Sequence, residues 1–395
     1  MVFDFLALLA FAVWLYLAFG RGGFWLGAER DDFDPPSPAQ TPEVTAVIPA
    51  RNEAEGVGTC VESLLRQDYR GLRAVVLVDD ESSDGTAIVA RQAAAACGAA
   101  DRLTIVAGTP LAAGWTGKLW AMRQGIAAAT AGPPPDFLLL TDADIVYAPQ
   151  VLGWLVAHAS ANRLVLASFM VELRCDSLPE RGLIPAFIFF FQMLYPFAWV
   201  NRPAAATAAA AGGCMLVRAD ALQQAGGIDA IRSSLIDDCA LAAALKAQGP
   251  IWLGLTGRVR SLRRYPHWSD VGHMVSRTAY AQLRYSPLLL AGTVFGLALT
   301  YLAPVVLTFF ADGLAQYLGL VTWLMMAFAF KPTLRFYRLS ALWGLALPAI
   351  AAIYMAFTLD SAYQHARGRG GMWKGRAQGN VSKSNVSESN VSEMR

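Results

Sequence analysis

The sequence predicts an α/β domain built on a mostly parallel sheet, with membrane-crossing helices at both ends. Three observations carry this. Of 395 residues, 55% are hydrophobic and only 16% charged, more apolar than a soluble enzyme of that length. Short apolar runs alternate with helical stretches from Val44 to Val171. Polar clusters follow those runs at equivalent places: Arg51-Asn52-Glu53, Asp79-Asp80-Glu81, and Asp142 with Asp144. Ligands of open α/β sheets sit beyond the carboxyl ends of the strands, so acidic turns recurring there mark a site.

Taken in order, Val2 to Gly20 is apolar except for Asp4 and long enough to cross a bilayer. The first cations, Arg21 and Arg30, come after it, unlike the basic start of a secretory signal. The positive-inside rule then puts the next domain in the cytosol. Residues 1–30 are thus an anchor, and the acidic, proline-rich 31–43 a linker. Strands are expected at Val44 to Pro49, Ala74 to Val78, Leu103 to Ala107, Phe137 to Thr141 and Leu164 to Val171 within a domain spanning 44–286. Ile184 to Val200, rich in Phe and broken by Pro185 and Pro196, reads as an interfacial helix at the membrane surface or as a core helix. Three apolar stretches fill 287–360: Pro287 to Ala311, Gly313 to Phe330 and Ser340 to Leu359. Three crossings would put the basic residues Arg367, Arg369, Lys374 and Arg376 outside, so one stretch is expected to be re-entrant or surface-lying. The tail, 361–395, is basic and then polar and disordered, with Asn-Val-Ser repeated at Asn380, Asn385 and Asn390.

Composition also excludes. A formal charge of +2 gives no argument for nucleic acid. Five cysteines without a Cys-x-x-Cys pair look like reduced, buried thiols, and four histidines form no zinc spacing. Neither a Gly-x-Gly-x-x-Gly fingerprint nor a Walker sequence is present, which removes dehydrogenases, kinases and ATPases. At strand spacing, Asp142 and Asp144 project to one side. Their like charges raise each other's pKa unless a cation neutralises them. A hard ion, Mg²⁺ or Mn²⁺, with the remaining ligands from water and substrate phosphates, suits such a turn; the bland reading is an Asp-rich turn before the helix that follows Pro149.

Thr45-Ala-Val-Ile-Pro-Ala-Arg-Asn-Glu53, Val75-Val-Leu-Val-Asp-Asp-Glu-Ser-Ser-Asp-Gly-Thr86, Thr141-Asp-Ala-Asp144 and Ile236-Asp-Asp-Cys-Ala-Leu241 resemble, in this order, the motifs of family 2 glycosyltransferases. The resemblance covers roughly residues 44 to 286 and implies a GT-A fold and inverting transfer from a nucleotide sugar. Gly114-Trp-Thr-Gly-Lys118, the flanking spans and Trp373-Lys-Gly-Arg376 further resemble the membrane branch related to ceramide glucosyltransferases, most of all hopene-associated glycosyltransferases. This implies an integral protein of the bacterial inner membrane with a cytosolic catalytic domain, a UDP-glucose donor and a lipid acceptor such as a hopanoid.

Carried over, the resemblance implies a donor-binding set of Pro49, Arg51, Glu53, Asp79, Asp80, Lys118, Asp142 and Asp144. Glu53, Asp79 and Asp80 would contact uridine. Asp144, supported by Asp142, would hold the metal, and Lys118 would add charge near the phosphates unless it is merely solvated. Asp238, with Asp237 where the family usually has Glu, would be the base; the alternative is a helix-capping aspartate. Gly212-Gly-Cys-Met-Leu-Val-Arg218 resembles an acceptor-side segment, with Gly213 allowing close approach or simply a tight turn. Tyr280-Ala-Gln-Leu-Arg-Tyr285 matches the last membrane-branch motif imperfectly, making Gln282, Arg284 and Tyr285 an expected diphosphate or acceptor clamp, with Arg277 as the alternative cation. Ala281 in place of the first Gln argues against processive polysaccharide synthases. A polyprenyl phosphate acceptor and a catalytically silent scaffold are the rival readings.

Overall fold

The computed structural model describes residues 1–368, together with the backbone of a short ladder, Met372–Trp373 with Arg376–Ala377. Apart from that backbone, the Trp373-Lys-Gly-Arg376 motif, the rest of the basic tail from Arg369 on and the Asn-Val-Ser repeats lie outside the described residues.

Eight strands form the main sheet: β1 (Val44–Ala50), β2 (Leu72–Asp79), β3 (Leu103–Ala107), β4 (Phe137–Leu140), β5 (Ile145–Tyr147), β6 (Leu166–Glu172), β7 (Met215–Arg218) and β8 (Ile251–Ser261). Their spatial order is β3-β2-β1-β4-β7-β6-β8-β5. All seven residues of β1 are buried, as expected of a central strand covered on both faces. It pairs in parallel with β2 and with β4, Ala50 standing opposite Asp79 and Val47 opposite Leu140. This register brings the residues after β1, β2 and β4 to one edge. The strand order reverses about β1, so the edge is a topological switch point.

The five expected strands are present. The other three are β5, β7 and β8; β7 runs antiparallel between β4 and β6, and β5 antiparallel beside β8. β8 alternates inward residues, Ile251, Leu253, Leu255, Val259 and Ser261, but two glycines and two arginines interrupt its apolar character. Just past its end, the Leu262 amide donates to the Asp144 carbonyl at 2.8 Å, fastening this strand to the acidic turn.

Among the described residues five helical stretches are long and apolar enough to cross a membrane: Val2–Gly20, Leu178–Val200, Pro287–Phe310, Gly313–Phe336 and Ala341–Ala366. Leu178–Val200 starts earlier than the expected Ile184. Ser177 and Glu180 form a capping box: the Ser177 hydroxyl accepts from the Glu180 amide at 3.3 Å and the Glu180 carboxylate accepts from the Ser177 amide at 2.8 Å. The added turn makes the stretch 23 residues, and 56% of its apolar window is buried inside the protein. Phe189 packs against Phe24 and Phe330, so this helix is a layer between the sheet and the carboxyl-terminal helices. All three carboxyl-terminal stretches are full-length helices by length and composition.

The amino-terminal helix joins the same bundle. Trp14 donates from its indole nitrogen to the Thr300 carbonyl at 2.9 Å and meets Tyr301 edge to face. The expected linker is pinned rather than loose: Arg258 pairs with Asp31 at 2.6 Å, and Trp154 donates to the Phe33 carbonyl while packing on its ring. Between β6 and the bundle, Glu172 bridges Arg260 and Arg338, each at 3.1 Å.

Candidate functional site

Beyond the carboxyl ends of β1 and β4 lies a cavity of about 460 Å³ whose walls include Pro49, Glu53, Lys118, Asp142, Asp144 and Gly213, with Asp237 and Asp238 facing them. Each is held by its element. Asp142 and Asp144 follow β4 in the turn to β5. Lys118 is in the first turn of the helix Gly117–Ala129, whose Thr116 cap accepts from the Leu119 amide. Asp237 and Asp238 open the helix Asp237–Lys246, where unpaired backbone N–H groups favour negative charge.

Lys118 is the hinge of the charges. Its ammonium is 2.9 Å from Asp142 and 3.1 Å from Asp237, so one partly buried cation ties the turn after β4 to the opposite helix. Burial works against its charge, but these two carboxylates prevail and hold it well above the ordinary lysine range. Gly212 lies close beside it: a Cβ there would stand 3.1 Å from the lysine nitrogen and 3.6 Å from the Asp238 carboxylate, so a side chain would crowd the ammonium. Gly213 presents its carbonyl to the hydroxyls of Thr141 and Tyr147 at 2.9 and 3.1 Å.

Asp238 accepts from the Gly212 amide at 3.0 Å and the Cys239 amide at 2.7 Å. Each of its oxygens keeps a lone pair for another donor. Removal from water pushes its carboxyl up to about 6, the neighbouring Asp237 adds to this, and Lys118 and the two amides pull back. Asp142 is likewise raised, by burial first and also by Asp144, with Lys118 opposing. An acid recessed in a cavity with its pKa near neutrality suits proton abstraction.

Asp144, only 8% exposed, accepts from the Ser261 hydroxyl at 2.6 Å and from Arg263 Nε at 3.3 Å. Arg263 also donates from Nη2 to Glu53 at 2.8 Å. Arg51 reaches the Asp80 carbonyl at 2.5 Å and its carboxylate at 3.6 Å, and Asp79 accepts from the Ser82 amide at 3.1 Å. Asp80 is fully buried. These three lie at the same strand edge, just beyond the cavity lining.

The structure does not bring Gln282, Arg284 and Tyr285 into the cavity. The short helix Ala279–Gln282 packs on the last bundle helix, where the Tyr280 amide donates to the Ser361 hydroxyl and Tyr285 stacks on His365 with centroids 4.3 Å apart; Gln282 donates to the Tyr195 hydroxyl of the Leu178–Val200 stretch, and Arg284 is exposed at positive φ. Arg277, one helix earlier, lines the cavity instead. Sequence reasoning also missed Ser261, the pairing of Arg263 with Asp144 and Glu53, and a wall of Met170, Leu173, Phe187, Phe191 and Met274. Period-two alternation along β8 and the Ser177-to-Glu180 spacing were the signals that could have found most of these.

Asp142 and Asp144 offer hard carboxylate oxygens on one wall. Among the described residues no group of three or more His, Cys, Asp or Glu is arranged to hold an ion unaided. Two carboxylates are a donor set of the kind that suits Mg²⁺ or Mn²⁺ when water and a diphosphate complete the shell.

A mixed, mostly parallel sheet with a switch point, an acidic turn after its fourth strand and a facing acidic helix define the GT-A class. In keeping with this, a mannosyltransferase from Pyrobaculum calidifontis, solved with GDP-mannose and Mn²⁺, superposes with a TM-score of 0.53 over 93% of this chain and 99% of its own, at 18% identity, a likeness of fold alone. The family model for glycosyltransferase like family 2 matches residues 42–251, more than half the chain, and the chain belongs to that family. An N-acetylglucosaminyltransferase from Rhizobium leguminosarum bv. viciae is 35% identical over 143 residues, 36% of this chain; the match spans about a third, 31%, of that relative's length.

Proposed function

We propose that the protein transfers a sugar, with inversion, from a nucleotide-sugar donor to a hydroxyl of a membrane lipid. The observation that supports this best is that one cavity joins the acidic turn, Asp238 and an apolar wall whose Phe187 and Phe191 belong to a helix long enough to cross a membrane. In this reading Asp238 takes the acceptor hydroxyl proton as the oxygen bonds to the anomeric carbon and the bond to the diphosphate breaks. Lys118 faces the departing diphosphate, and Glu53, Asp79, Asp80 and Arg51 bind the nucleoside side. A divalent ion at Asp144, supported by Asp142, would supply charge neutralisation to the leaving group. Pro49 and Gly213 shape the walls. Resemblance to the hopene-associated and ceramide-type branch makes UDP-glucose the expected donor and a hopanoid an expected acceptor, with the catalytic domain on the cytosolic face of the inner membrane.

Asp144→Ala is expected to lower transfer about 10²- to 10³-fold, as loss of one electrostatic stabiliser does. Purified enzyme with labelled UDP-glucose and lipid extract measures it; an unchanged rate, with an unchanged cellular lipid profile, would favour a scaffold. Phe187→Ser removes apolar contact worth roughly 1.5–3 kcal/mol, and so should raise the acceptor KM about ten- to a hundredfold while the donor KM stays near wild type. Equal rises in both would mean that this wall does not bind the acceptor.

A polyprenyl phosphate acceptor remains the second reading, favoured by the Arg277 cation in the cavity lining. Of the four other arginines that could serve it, Arg258 pairs with Asp31, Arg260 with Glu172 and Arg263 with Asp144 and Glu53, while Arg264 is exposed. An acid-labile lipid product would decide for it.

A further inference from the structure

Six carboxylates line the cavity: Glu53, Asp142, Asp144, Asp237, Asp238 and Asp270, the last accepting from the His267 amide. Two of the cations in the lining are interleaved with the first five. Lys118 takes Asp142 and Asp237, and Arg263 takes Asp144 and Glu53. The carboxylate best recessed for an ion, Asp144, thus already has an internal cation against its Oδ2, on the oxygen that also accepts from Ser261. Arg263 is anchored by its backbone and partly open at its side chain. Its amide is tied to the Ser261 hydroxyl at 3.2 Å at the end of β8, yet its side chain is 36% exposed, on the loop before the helix Trp268–Ser276.

We propose that Arg263 is a positioning residue that acts as an internal counter-ion, competing with the divalent ion for Asp144 until a nucleoside diphosphate gives its guanidinium a new partner. The inference rests on Asp144 being the ion-binding carboxylate. A guanidinium matches a diphosphate in planar, bidentate fashion as well as it matches carboxylates, so the arginine exchanges one anionic partner for another. The ion and the nucleotide then bind cooperatively. Ion alone must displace the arginine; ion with diphosphate arrives where the arginine is already drawn away.

The test is Mn²⁺ binding to the full-length detergent-solubilised protein, followed by loss of the free Mn²⁺ resonance, with Mn²⁺ alone, with UDP and with GDP. Wild type should bind Mn²⁺ weakly alone and about tenfold more tightly with the diphosphate it accepts, within the usual span of coupled sites. Arg263→Gln should bind Mn²⁺ alone about tenfold more tightly than wild type and lose most of the gain on adding nucleotide. Arg263→Lys, which keeps the charge, should stay near wild type for Mn²⁺ alone, and thermal melting of each variant checks the fold. Mn²⁺ binding alone that is equal or weaker in Arg263→Gln, where wild type and nucleotide still bind the ion, overturns this inference only. Failure of wild type to bind Mn²⁺ under any condition, or Mn²⁺ binding untouched by Asp144→Ala, overturns the ion site itself and this inference with it.

Discussion

Asp238→Asn is expected to lower sugar transfer about 10³-fold while leaving nucleotide binding in place, because it removes the proton acceptor and little of the shape. The asparagine still fits between Gly212 and Cys239, although only one of their two amides keeps an oxygen to donate to. The pH dependence is the sharper test. A base must be deprotonated to work, and burial with the adjacent Asp237 places Asp238 at about 6. Wild-type transfer should therefore fall as pH drops through about 6 and level off above it. In Asp238→Asn the residual rate should lose that acid limb. A limb that persists in the variant, or a rate within a few-fold of wild type, would assign the base elsewhere, with Asp237 the nearest candidate.

The half of the domain that carries the donor-side residues was legible because its strands are buried on both faces. Val44 to Ala50, apolar but for Thr45, and Phe137 to Leu140 read as apolar runs, and an acidic turn after such a run has few structural reasons to exist. Asp237 and Asp238 were legible from their motif, and the structure adds what spacing could not: a lysine far along the chain reaches both helix and turn. β8 escaped notice because a strand next to the sheet edge, parallel to β6 and antiparallel to β5, tolerates Gly254, Gly257, Arg258 and Arg260, which dilute its pattern. Losing β8 meant losing the place of Ser261 and Arg263. The expected clamp at Gln282, Arg284 and Tyr285 shows the opposite error. The motif stood near the right place in sequence, but Tyr285 stacks on His365 and draws the segment onto the bundle, so the cavity is lined one helix earlier, by Arg277.

Lys118→Met should act on stability and catalysis together, since its ammonium is the shared counter-charge of Asp142 and Asp237 and lies close to Asp238. Loss of a cation from the developing diphosphate charge is expected to cost about 10²- to 10³-fold in transfer. Lys118 holds the Asp238 pKa down, so its removal should move the acid limb from about 6 toward neutral pH. Breaking a fully buried pair costs about 3–5 kcal/mol; here about 2 kcal/mol is expected, because Asp142 keeps a third of its surface. The sign with pH follows from the same shifts. Carboxylates raised in the folded state bind protons more tightly than in the unfolded chain, so their penalty is absent below the ordinary value of 3.8 and grows as pH rises through the raised folded value. The melting-temperature deficit of Lys118→Met should accordingly be small near pH 4 and full by pH 8, and Lys118→Arg should recover most of it. If instead the deficit is constant with pH and the acid limb stays near 6, the lysine fills space without setting the charge of the carboxylates around it, and the electrostatic link between the two walls of the cavity is lost as an explanation.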